Sequence, residues 1–365
     1  MKKNKIKMMT GMLIILVTGI SVFNLSTSKQ SKASVNLKNY EIGEKNIMVG
    51  VNYKGKWGFI DKADQWVIKP KFSAVGKFSE GLAPAKYDNK YGYIDIKGKW
   101  VVEAKFDNAF NFSEGLALVT INAKQGYIDK TGAMVIESKP KETFLGNFAE
   151  GTAVVRLDKK WGCIDKKGNF IIQPKFDDIG NYARNFQIVK FSEGLIPACY
   201  NYKWGYLDKK GNFKIESKFD DAEDFVDGLA FVKVNNKWGI IDKNGKSVVE
   251  PKFEDVVDFS DGLAAVKIKN KWGVINKKGE MVIQPKLENN SYFRLKYSEG
   301  LAVIENNYKW GYMDSQGHWV IKPTFDSASN FSEGVAVVKI NNKWGFIDKK
   351  GKFVIQPKFE NVFDF

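Results

Sequence analysis

The sequence predicts an all-β chain, a tandem array of nine small antiparallel sheets stacked face to face in a propeller-like arrangement. Three observations predict it: a recurring Trp-Gly pair, a turn glycine seven residues after the Trp, and strands that are apolar on both faces. Trp precedes the recurring glycine in seven units, and Tyr91 and Gln125 replace it in the other two. In steps of 34 to 43 residues, that glycine falls at Gly58, Gly92, Gly126, Gly162, Gly205, Gly239, Gly273, Gly311 and Gly345.

One unit shows how the strands follow from the pattern. Residues 262–268 (GLAAVKI), 272–276 (WGVIN) and 280–285 (EMVIQP) are short, rich in β-branched residues and separated by polar turns. They predict a three-stranded meander, with a short fourth strand in the acidic and aromatic stretch before the next unit. The turn glycine indicates a position with positive φ, which Asp64 occupies in the first unit. The others are Gly98, Gly132, Gly168, Gly211, Gly245, Gly279, Gly317 and Gly351.

Proline gives further predictions about strand position. Because Pro lacks an N–H, it is found at the ends of strands or on edge strands. Pro84 and Pro197 fall inside the first strand of their units, which predicts that this strand is an edge. A proline also follows the third strand of six units, at Pro70, Pro174, Pro251, Pro285, Pro323 and Pro357.

The combined pattern KWG-[FY]-ID-KKG-x-[FV]-VI-x-P-KF…FSEG-LAVV resembles the bacterial WG-repeat (KWG-repeat) family. The resemblance runs from about Ile47 to Phe365, and several positions recur together in register. The resemblance implies a repeat class without a general catalytic activity or cofactor, so it transfers no functional residue to this chain.

The strand faces predict how the units stack. A sheet with one wet face alternates apolar and polar residues, but these strands are largely apolar on both faces, so neighbouring sheets must cover each other. A closed propeller and an open spiral both satisfy this requirement. Nine units exceed the usual four to eight blades, and the array starts and stops at the same phase. We therefore expect an open spiral, slightly favoured over a closed ring.

The first residues predict export. Lys2, Lys3, Lys5 and Lys7 precede the apolar run 11–23, and Ser31-Lys32-Ala33 offers small residues for cleavage. We expect residues 1–33 to be a signal peptide, 34–46 a linker and 47–365 the repeat array. After cleavage no transmembrane anchor is expected. The mature chain is then secreted, either free or held non-covalently at the cell surface.

Charge and composition limit the partners. Six lysines of a chain of net charge +15 lie in residues 1–33, so the mature chain carries +9. These lysines are spread out, which favours weak attraction to a polyanion such as a cell-envelope polymer over nucleic acid. Cys163, Cys199 and the single His318 are too few for a disulfide framework, a His-ligated metal site or a His-based triad. We predict no catalytic residues, no metal and no cofactor.

The recurrent polar and aromatic residues have structural interpretations. The Asp after the second strand is expected to cap its own turn, because one carboxylate per unit is poor for calcium. The glutamates of FSEG recur in most units, which favours a turn role over a catalytic pair. The Trp row is expected to pack between sheets with the next glycine allowing close approach, the alternative being an aromatic surface for sugars.

The irregular units are the better candidates for a binding site. Three units gain residues before F-S-E-G or its equivalent, and insertions in a repeat array often lie on a binding face, although neutral length drift would give the same pattern. The two longer insertions are rich in aromatic residues and Arg, as interfaces are. The candidate interaction residues are Tyr182, Arg184, Phe186, Tyr292, Phe293 and Arg294.

These observations favour a secreted, non-enzymatic repeat scaffold that binds a protein or an anionic cell-envelope polymer. Two alternatives remain. One is a cell-wall-acting hydrolase that uses a carboxylate pair in an irregular unit. The other is a structural, self-assembling element.

Overall fold

The strands pair into nine four-stranded antiparallel sheets within the part of the chain that the structure describes. A computed structural model describes residues 48–139, 142–144, 146–180, 189–287 and 296–362. We call the sheets blades 1 to 9 and the four strand positions in each blade A to D, in the order in which they pair.

The bounds of the strands follow for blades 1 to 9 in turn. The A strands are β36 (Asn361–Val362), β4 (Ala74–Val75), β8 (Asn108–Ala109), β12 (Glu142–Phe144), β16 (Asp178–Ile179), β20 (Asp221–Ala222), β24 (Asp255–Ser260), β28 (Tyr297–Ser298) and β32 (Ser327–Ala328). The B strands are β1 (Val49–Tyr53), β5 (Ala83–Tyr87), β9 (Ala117–Ile121), β13 (Ala153–Leu157), β17 (Leu195–Tyr200), β21 (Leu229–Val234), β25 (Leu263–Ile268), β29 (Leu301–Asn306) and β33 (Val335–Ile340).

The C and D strands complete each blade. The C strands are β2 (Lys56–Ile60), β6 (Lys90–Ile94), β10 (Lys124–Ile128), β14 (Lys160–Ile164), β18 (Lys203–Asp208), β22 (Lys237–Asp242), β26 (Lys271–Asn276), β30 (Lys309–Met313) and β34 (Lys343–Asp348). The D strands are β3 (Trp66–Phe72), β7 (Trp100–Phe106), β11 (Met134–Glu137), β15 (Phe170–Phe176), β19 (Phe213–Phe219), β23 (Ser247–Phe253), β27 (Met281–Leu287), β31 (Trp319–Phe325) and β35 (Phe353–Phe359).

The array is a closed ring, so the expectation of an open spiral was wrong. The last strand, β36, pairs with β1 through Val51 with Val362 and Asn52 with Asn361, and it supplies the A strand of blade 1. One hydrophobic cluster also joins Val49 and Val51 of blade 1 to Phe346 of blade 9. Starting and stopping at the same phase does not prevent closure, because each unit contributes the A strand of the next blade.

The core lies between the blades. The cluster that contains Trp57 and Phe59 of blade 1 also contains Val75, Phe78 and Ala85 of blade 2, and the same sharing recurs around the ring. A unit that shares its apolar faces with both neighbours depends on them for burial. The prediction of sheets stacked face to face is therefore confirmed.

The expectation that Pro84 and Pro197 mark edge strands was wrong. Each lies in a B strand that is paired on both sides. Their carbonyls accept hydrogen bonds from Gly76 N and Gly180 N, both at 2.7 Å, so their nitrogens face the A strand as well. That A strand pairs only two residues and has ended by this point, so no ladder bond is lost.

The D strand is the edge of each blade, as its proline suggested, but the strand continues past the proline to Phe72 or its equivalent. Trp57 pairs with Phe72 and Phe59 with Ile68, so four residue steps on the D strand oppose two on the C strand. Pro70 lies in this bulge, where its missing N–H removes no regular ladder bond.

Because the strands alternate in direction, the connections fall at two ends of the ring. The A–B loops and the C–D turns lie at one end, which we call the A–B end. The B–C turns and the links from each D strand to the next A strand lie at the other end, the B–C end.

Candidate functional site

The tryptophans of the repeat pack between blades. Five of the seven are buried and two are half-buried, and the side chain of Trp238 is only 1% exposed. A basic side chain from the B strand lies over the ring in several blades: Lys233 Nζ is 5.6 Å from the Trp238 ring centroid and Lys339 Nζ is 5.7 Å from that of Trp344. The prediction that the Trp row is core is confirmed, because little of these rings is available to a ligand.

The glycine after each Trp acts within a sheet. A Cβ on Gly58 would lie 2.4 Å from Ile68 O and 2.7 Å from Pro70 N, both backbone atoms of the neighbouring D strand. The expectation that this glycine lets two sheets approach was therefore wrong. It lets the C strand approach the bulge of its own D strand.

The Asp that follows the C strand caps the C–D turn. Asp61 Oδ1 accepts hydrogen bonds from Ala63 N at 2.9 Å and Gln65 N at 2.8 Å. Carboxylates with two such bonds to their own turn are structural. The same pair of bonds is made by Asp95, Asp129, Asp165, Asp208, Asp242, Asn276, Asp314 and Asp348.

At the A–B end, the acidic residue of each F-S-E-G stretch or its equivalent ties one blade to the next. Glu193 and Gly194 form a two-residue hairpin turn, with φ of 53° and 80°. The Glu193 carboxylate accepts Gly228 N at 3.1 Å and pairs with Lys243 Nζ at 2.7 Å, both from blade 6. Equivalent pairs between acid and lysine are Glu80 with Lys130, Glu114 with Lys166, Glu150 with Lys209, Asp227 with Lys277, and Glu299 with Lys349.

At the B–C end, a second set of carboxylates does the same. Asp220, in the link after the D strand of blade 5, accepts Lys203 Nζ at 2.6 Å and Asn235 N of blade 6 at 2.7 Å. The lysine is the one that precedes Trp-Gly in the repeat. Equivalent pairs are Lys90 with Asp107, Lys160 with Asp177 and Lys309 with Asp326.

Such contacts lower the pKa of Asp220 and of Glu193. The hydrogen bond from Lys203 is the main cause that lowers the pKa of Asp220, and the bond from Lys243 does the same for Glu193. A carboxylate with a lowered pKa stays ionised at neutral pH, where it pairs with lysine, and is poorly suited to act as a general acid. The acidic residues of the repeat are therefore structural bridges between blades, as the sequence predicted for a residue repeated in most units.

Asp224 departs from this rule. Asp224 and its equivalent in blade 7, Asp258, directly precede Phe225 and Phe259, at a position that holds Lys77, Asn111 or Lys190 in other units. The pKa of Asp224 is raised to about 6, mainly by burial and to a smaller extent by the negative charge of Asp258, while Lys190 opposes the shift. Sequence reasoning missed this pair. The sequence did contain a sign of this pair: two successive units have Asp before the Phe, where other units have Lys or Asn.

Basic side chains are concentrated at the B–C end. Every described C strand begins with Lys, and five B strands place a basic residue directly opposite the Trp or Tyr of the pair. Those five residues are Lys86, Arg156, Lys233, Lys267 and Lys339. The carboxylates at this end bind the C-strand lysines, so the B-strand residues add positive charge.

The six candidate interaction residues cannot be placed. Tyr182, Arg184, Phe186, Tyr292, Phe293 and Arg294 lie outside the described residues. In blade 5 the insertion follows β16, so the chain enters it at the A–B end, after Gly180, and leaves it before Val189. The role of these six residues stays a prediction.

The thiols and the histidine form no reactive group. Cys163 and Cys199 are both buried and neither is in a disulfide. Burial raises the pKa of Cys163 to about 12, and burial together with Asp177 raises that of Cys199 to about 11, so both are protonated at neutral pH. His318 is exposed and its Nδ1 lies 3.4 Å from Asp314 Oδ2. Across the described ranges, no group of three or more His, Cys, Asp or Glu side chains is arranged to hold a metal ion.

A cleft of about 460 Å³ lies between blades 5 and 6. Its walls include Phe219, Val232 and Val249, and Lys218 and Lys237 also line it. The cleft has an apolar floor and a basic rim, and its one acidic lining residue is Glu250. A paired set of carboxylates for hydrolysis is not found there.

None of the elements in the described ranges is a helix with the length and hydropathy to span a bilayer.

Nine four-stranded blades in a closed ring, joined by carboxylate bridges at both ends, define a nine-bladed β-propeller built from one repeat. The family described as "WG containing repeat" matches residues 57–91, 91–124, 126–161, 161–191, 204–238, 238–272, 272–310, 310–344 and 344–365. The chain therefore belongs to the WG-repeat family, and the resemblance noted in the sequence is confirmed. No curated protein matches the chain in sequence.

Solved structures share the fold. The chain is similar to the crystal structure of a eukaryotic initiation factor, with a TM-score of 0.60 and 11% identity over 88% of this chain and 98% of the other. Weaker likenesses include BamB from Moraxella catarrhalis, with a TM-score of 0.40 and 13% identity over 79% of this chain and 95% of BamB. Hsv2p from Kluyveromyces lactis has a TM-score of 0.37 and 9% identity over 79% and 99%. At these identities the likeness concerns the fold alone.

Proposed function

We propose that this protein is an exported, non-enzymatic ring scaffold that binds an anionic polymer of the cell envelope. The observation that carries the proposal is the uneven use of charge. The recurrent carboxylates are engaged by turn N–H groups and by lysines, while Lys233 and Lys339 of the B strands lie over Trp rings.

The positive charge lies where a polymer can reach it. Lysines that begin the C strands and basic residues near the ends of the B strands lie around one end of the ring, one or two per blade. A regular row of cations suits a ligand with regularly spaced anions, and many weak contacts along one chain add up to useful affinity.

Export supports the same partner. The charged start, the apolar run 11–23 and the Ser31-Lys32-Ala33 site favour cleavage after Ala33 and release outside the membrane. The mature chain, residues 34–365, then meets envelope polymers first, whether it stays free or is held at the surface. The alternative ligand within this proposal is a protein, which would bind through the insertions that contain Tyr182 and Tyr292.

Binding of residues 34–365 to purified envelope polymer of the producing cell tests the proposal. We expect binding that weakens steeply as salt rises, because surface charges are screened within about 8 Å at physiological ionic strength. An uncharged polysaccharide of the same length should not bind. Binding that is insensitive to salt, or absent, would contradict the proposal, and loss of binding only on deletion of 181–188 and 288–295 would favour the protein partner.

A hydrolase is the second candidate, and the Asp224–Asp258 pair favours it. A carboxyl group with a pKa of about 6 beside a second carboxyl group has the properties of an acid and base couple for glycoside hydrolysis. Digestion of purified wall material by the mature chain, lost in Asp224→Asn, would establish this activity. The same material left intact by the wild type would exclude it.

Self-assembly is less favoured by the edges of the blades. The D strands expose one backbone edge each, but a bulge at Pro70 and its equivalents makes that strand irregular and exposed lysines flank it. Both features prevent edges from pairing with another chain. Sedimentation of the mature chain should show a monomer.

A further inference from the structure

Every exposed tyrosine of the described residues lies at the B–C end. The other described tyrosines are buried, mostly in the C strands. Tyrosine is favoured at binding surfaces because it offers a large rigid ring and a hydroxyl at low entropic cost. The five exposed residues are Tyr53, Tyr87, Tyr200, Tyr202 and Tyr308.

Tyr202 and Tyr308 stand out among them. Their side chains are 88% and 89% exposed, and each is the second residue of the B–C turn of its blade, with φ of 61° and 62°. A bulky residue is unfavourable in this left-handed region, where Asn and Gly are tolerated. The equivalent residues in four other blades are Asn89, Asn236, Asn270 and Asn342, with φ between 60° and 65°, and those in the remaining three are Gly55, Ala123 and Lys159, also with positive φ.

The strain at these two tyrosines is not explained by packing, because the rings are exposed. All nine B–C turns have a positive φ at this position, so a large aromatic residue is held there at a cost that Asn or Gly would avoid, as is found at functional surfaces. Asn201 and Asn307, which precede the tyrosines, also have positive φ, so both turns have the same two-residue geometry as the Asn-containing turns. The fold would accept Asn at both positions.

Basic side chains surround Tyr202. Lys203 follows it in the chain, and Lys159 and Lys160 lie in the B–C turn and C strand of the preceding blade. Lys160 Nζ donates to Asp177 Oδ1 at 2.6 Å, and the Asp177 carboxylate also accepts hydrogen bonds from the backbone of Asn201 and Tyr202, so one carboxylate joins Lys160 to the turn that carries Tyr202. The result is a surface of alternating aromatic rings and cations.

We propose that the B–C end is the polymer-binding surface and that its ligand is an acidic polysaccharide, with Tyr202 and Tyr308 stacking on sugar rings and with Lys159 and the basic residues of the B strands pairing with its carboxylates. This inference rests on the proposed function and names its ligand class and its surface. The basic residues at this end favour an anionic polymer as the ligand. The exposed Tyr rings favour a polymer of sugars, because sugar rings have apolar C–H faces that can stack on aromatic rings. Acids and lysines form mutual pairs at both ends, but at the B–C end the basic residues of five B strands add positive charge beyond those pairs.

The test compares the mature chain with the double variant Tyr202→Asn/Tyr308→Asn on three probes: polygalacturonate, polyphosphate and uncharged dextran. Polyphosphate carries charge without sugar rings. We expect the variant to bind polygalacturonate about tenfold more weakly, since two stacked rings together contribute on the order of 1.4 kcal/mol. Its affinity for polyphosphate should change less than about twofold, and neither protein should bind dextran.

Two further variants make the comparison specific. Lys159→Asn removes a charge at the B–C end and should weaken binding to both polyanions. Lys167→Gln/Lys350→Gln removes two exposed charges at the A–B end and should leave both affinities unchanged. The melting temperature of the tyrosine variant should equal or exceed that of the wild type, which excludes unfolding as the cause of weaker binding.

The outcomes separate this inference from the proposed function. A wild type that binds neither polyanion would overturn both. A wild type that binds polyanions equally with and without the two tyrosines, or that loses binding only in the A–B end variant, would overturn the present inference and leave the proposed function standing. Tighter binding to single-stranded DNA than to polygalacturonate, lost with the tyrosines, would also overturn it.

Discussion

Lys358 of blade 9 forms an ion pair with Asp64 of blade 1, and Asp64 is the residue that replaces the turn glycine of the other units. The departure from the repeat therefore lies where the last blade meets the first. A second contact at the same junction, from Lys62 Nζ to Glu333 O at 3.3 Å, also joins the first and last blades. The interface between blades 9 and 1 therefore contains an ion pair that the other interfaces cannot form, because their turns have Gly in place of Asp64.

Substitution of Asp64 separates its two roles. In Asp64→Ala both the ion pair and the tolerance for a φ of 64° are lost, and we expect destabilisation by about 1–2 kcal/mol. In Asp64→Gly the backbone strain of the positive φ is removed, but the half-exposed ion pair with Lys358 is lost. These two changes in stability should nearly cancel. Urea unfolding measures both. Equal destabilisation by Ala and Gly would show that the ion pair alone matters.

Gly239 should not tolerate a side chain. In Gly239→Ala the new Cβ would lie 2.7 Å from Val249 O and 2.9 Å from Pro251 N, which forces the C strand away from the D-strand bulge. We expect a loss of about 2–3 kcal/mol in the free energy of unfolding. Gly50→Ala is the matched control, since its Cβ would meet only side-chain carbons at 3.4 Å or more. Similar stability of the two variants would contradict the close-approach role.

The bridges between blades should make stability fall in acid. The pKa of Glu193 is lowered in the folded chain, mainly by its hydrogen bond from Lys243, so the folded state gains stability above the unfolded pKa of about 4.3. That contribution is lost as the pH falls through the lowered folded pKa. Glu193→Gln should therefore lower stability at pH 7 and reduce its decrease between pH 5 and pH 3. Parallel curves of unfolding free energy against pH for variant and wild type would refute this role.

Asp224 should have the opposite effect. Its pKa is raised to about 6 in the folded chain, so stability decreases as the pH rises from about 4 through 6 and remains lower above that. Asp224→Asn should raise the unfolding free energy at pH 7 by on the order of 2 kcal/mol and leave it unchanged near pH 3. Asp255→Asn, an exposed residue of the next blade, is the control and should be neutral at both values. A destabilised Asp224→Asn protein at pH 7 would show that the carboxylate has a partner it needs.

If Asp224→Asn is more stable than the wild type at pH 7, Asp224 invites a functional explanation, because stability and activity often trade against each other. The pH curve and the digestion assay with Asp224→Asn should therefore be measured on the same preparation. If Asp224→Asn is more stable than the wild type and neither protein digests wall material, Asp224 lowers stability without contributing to hydrolysis.

Much of the fold was readable from the repeat because the same local chemistry recurs. The turn glycines, the Asp that caps each C–D turn and the apolar faces of the strands depend on neighbours within a few residues. The prediction for Asp64, a positive φ tolerated by Asp, was confirmed in the same way. Its ion pair with Lys358 was not predictable, since the two residues are separated by 294 positions.

The binding surface was harder to predict. Sequence reasoning looked to insertions, and the six residues chosen there, Tyr182 to Arg294, lie outside the described residues. Tyr202 and Tyr308 keep the length of the repeat and so drew no attention. Their signal was a tyrosine in a turn position where four other blades have Asn, a meaning that appears only once φ and exposure are known.

The sequence by itself determined an all-β repeat of nine units, its turns, its buried Trp row and its family, because each depends on local spacing and on hydrophobic pattern. Only the tertiary structure decided that the ring closes, that Gly239 fits against its own D strand, and that the recurrent carboxylates join neighbouring blades. The physical reason is that closure and the carboxylate bridges are contacts between different units. A unit's own sequence specifies its hairpins, but the angle between successive blades, summed over the whole array, determines whether β36 reaches β1.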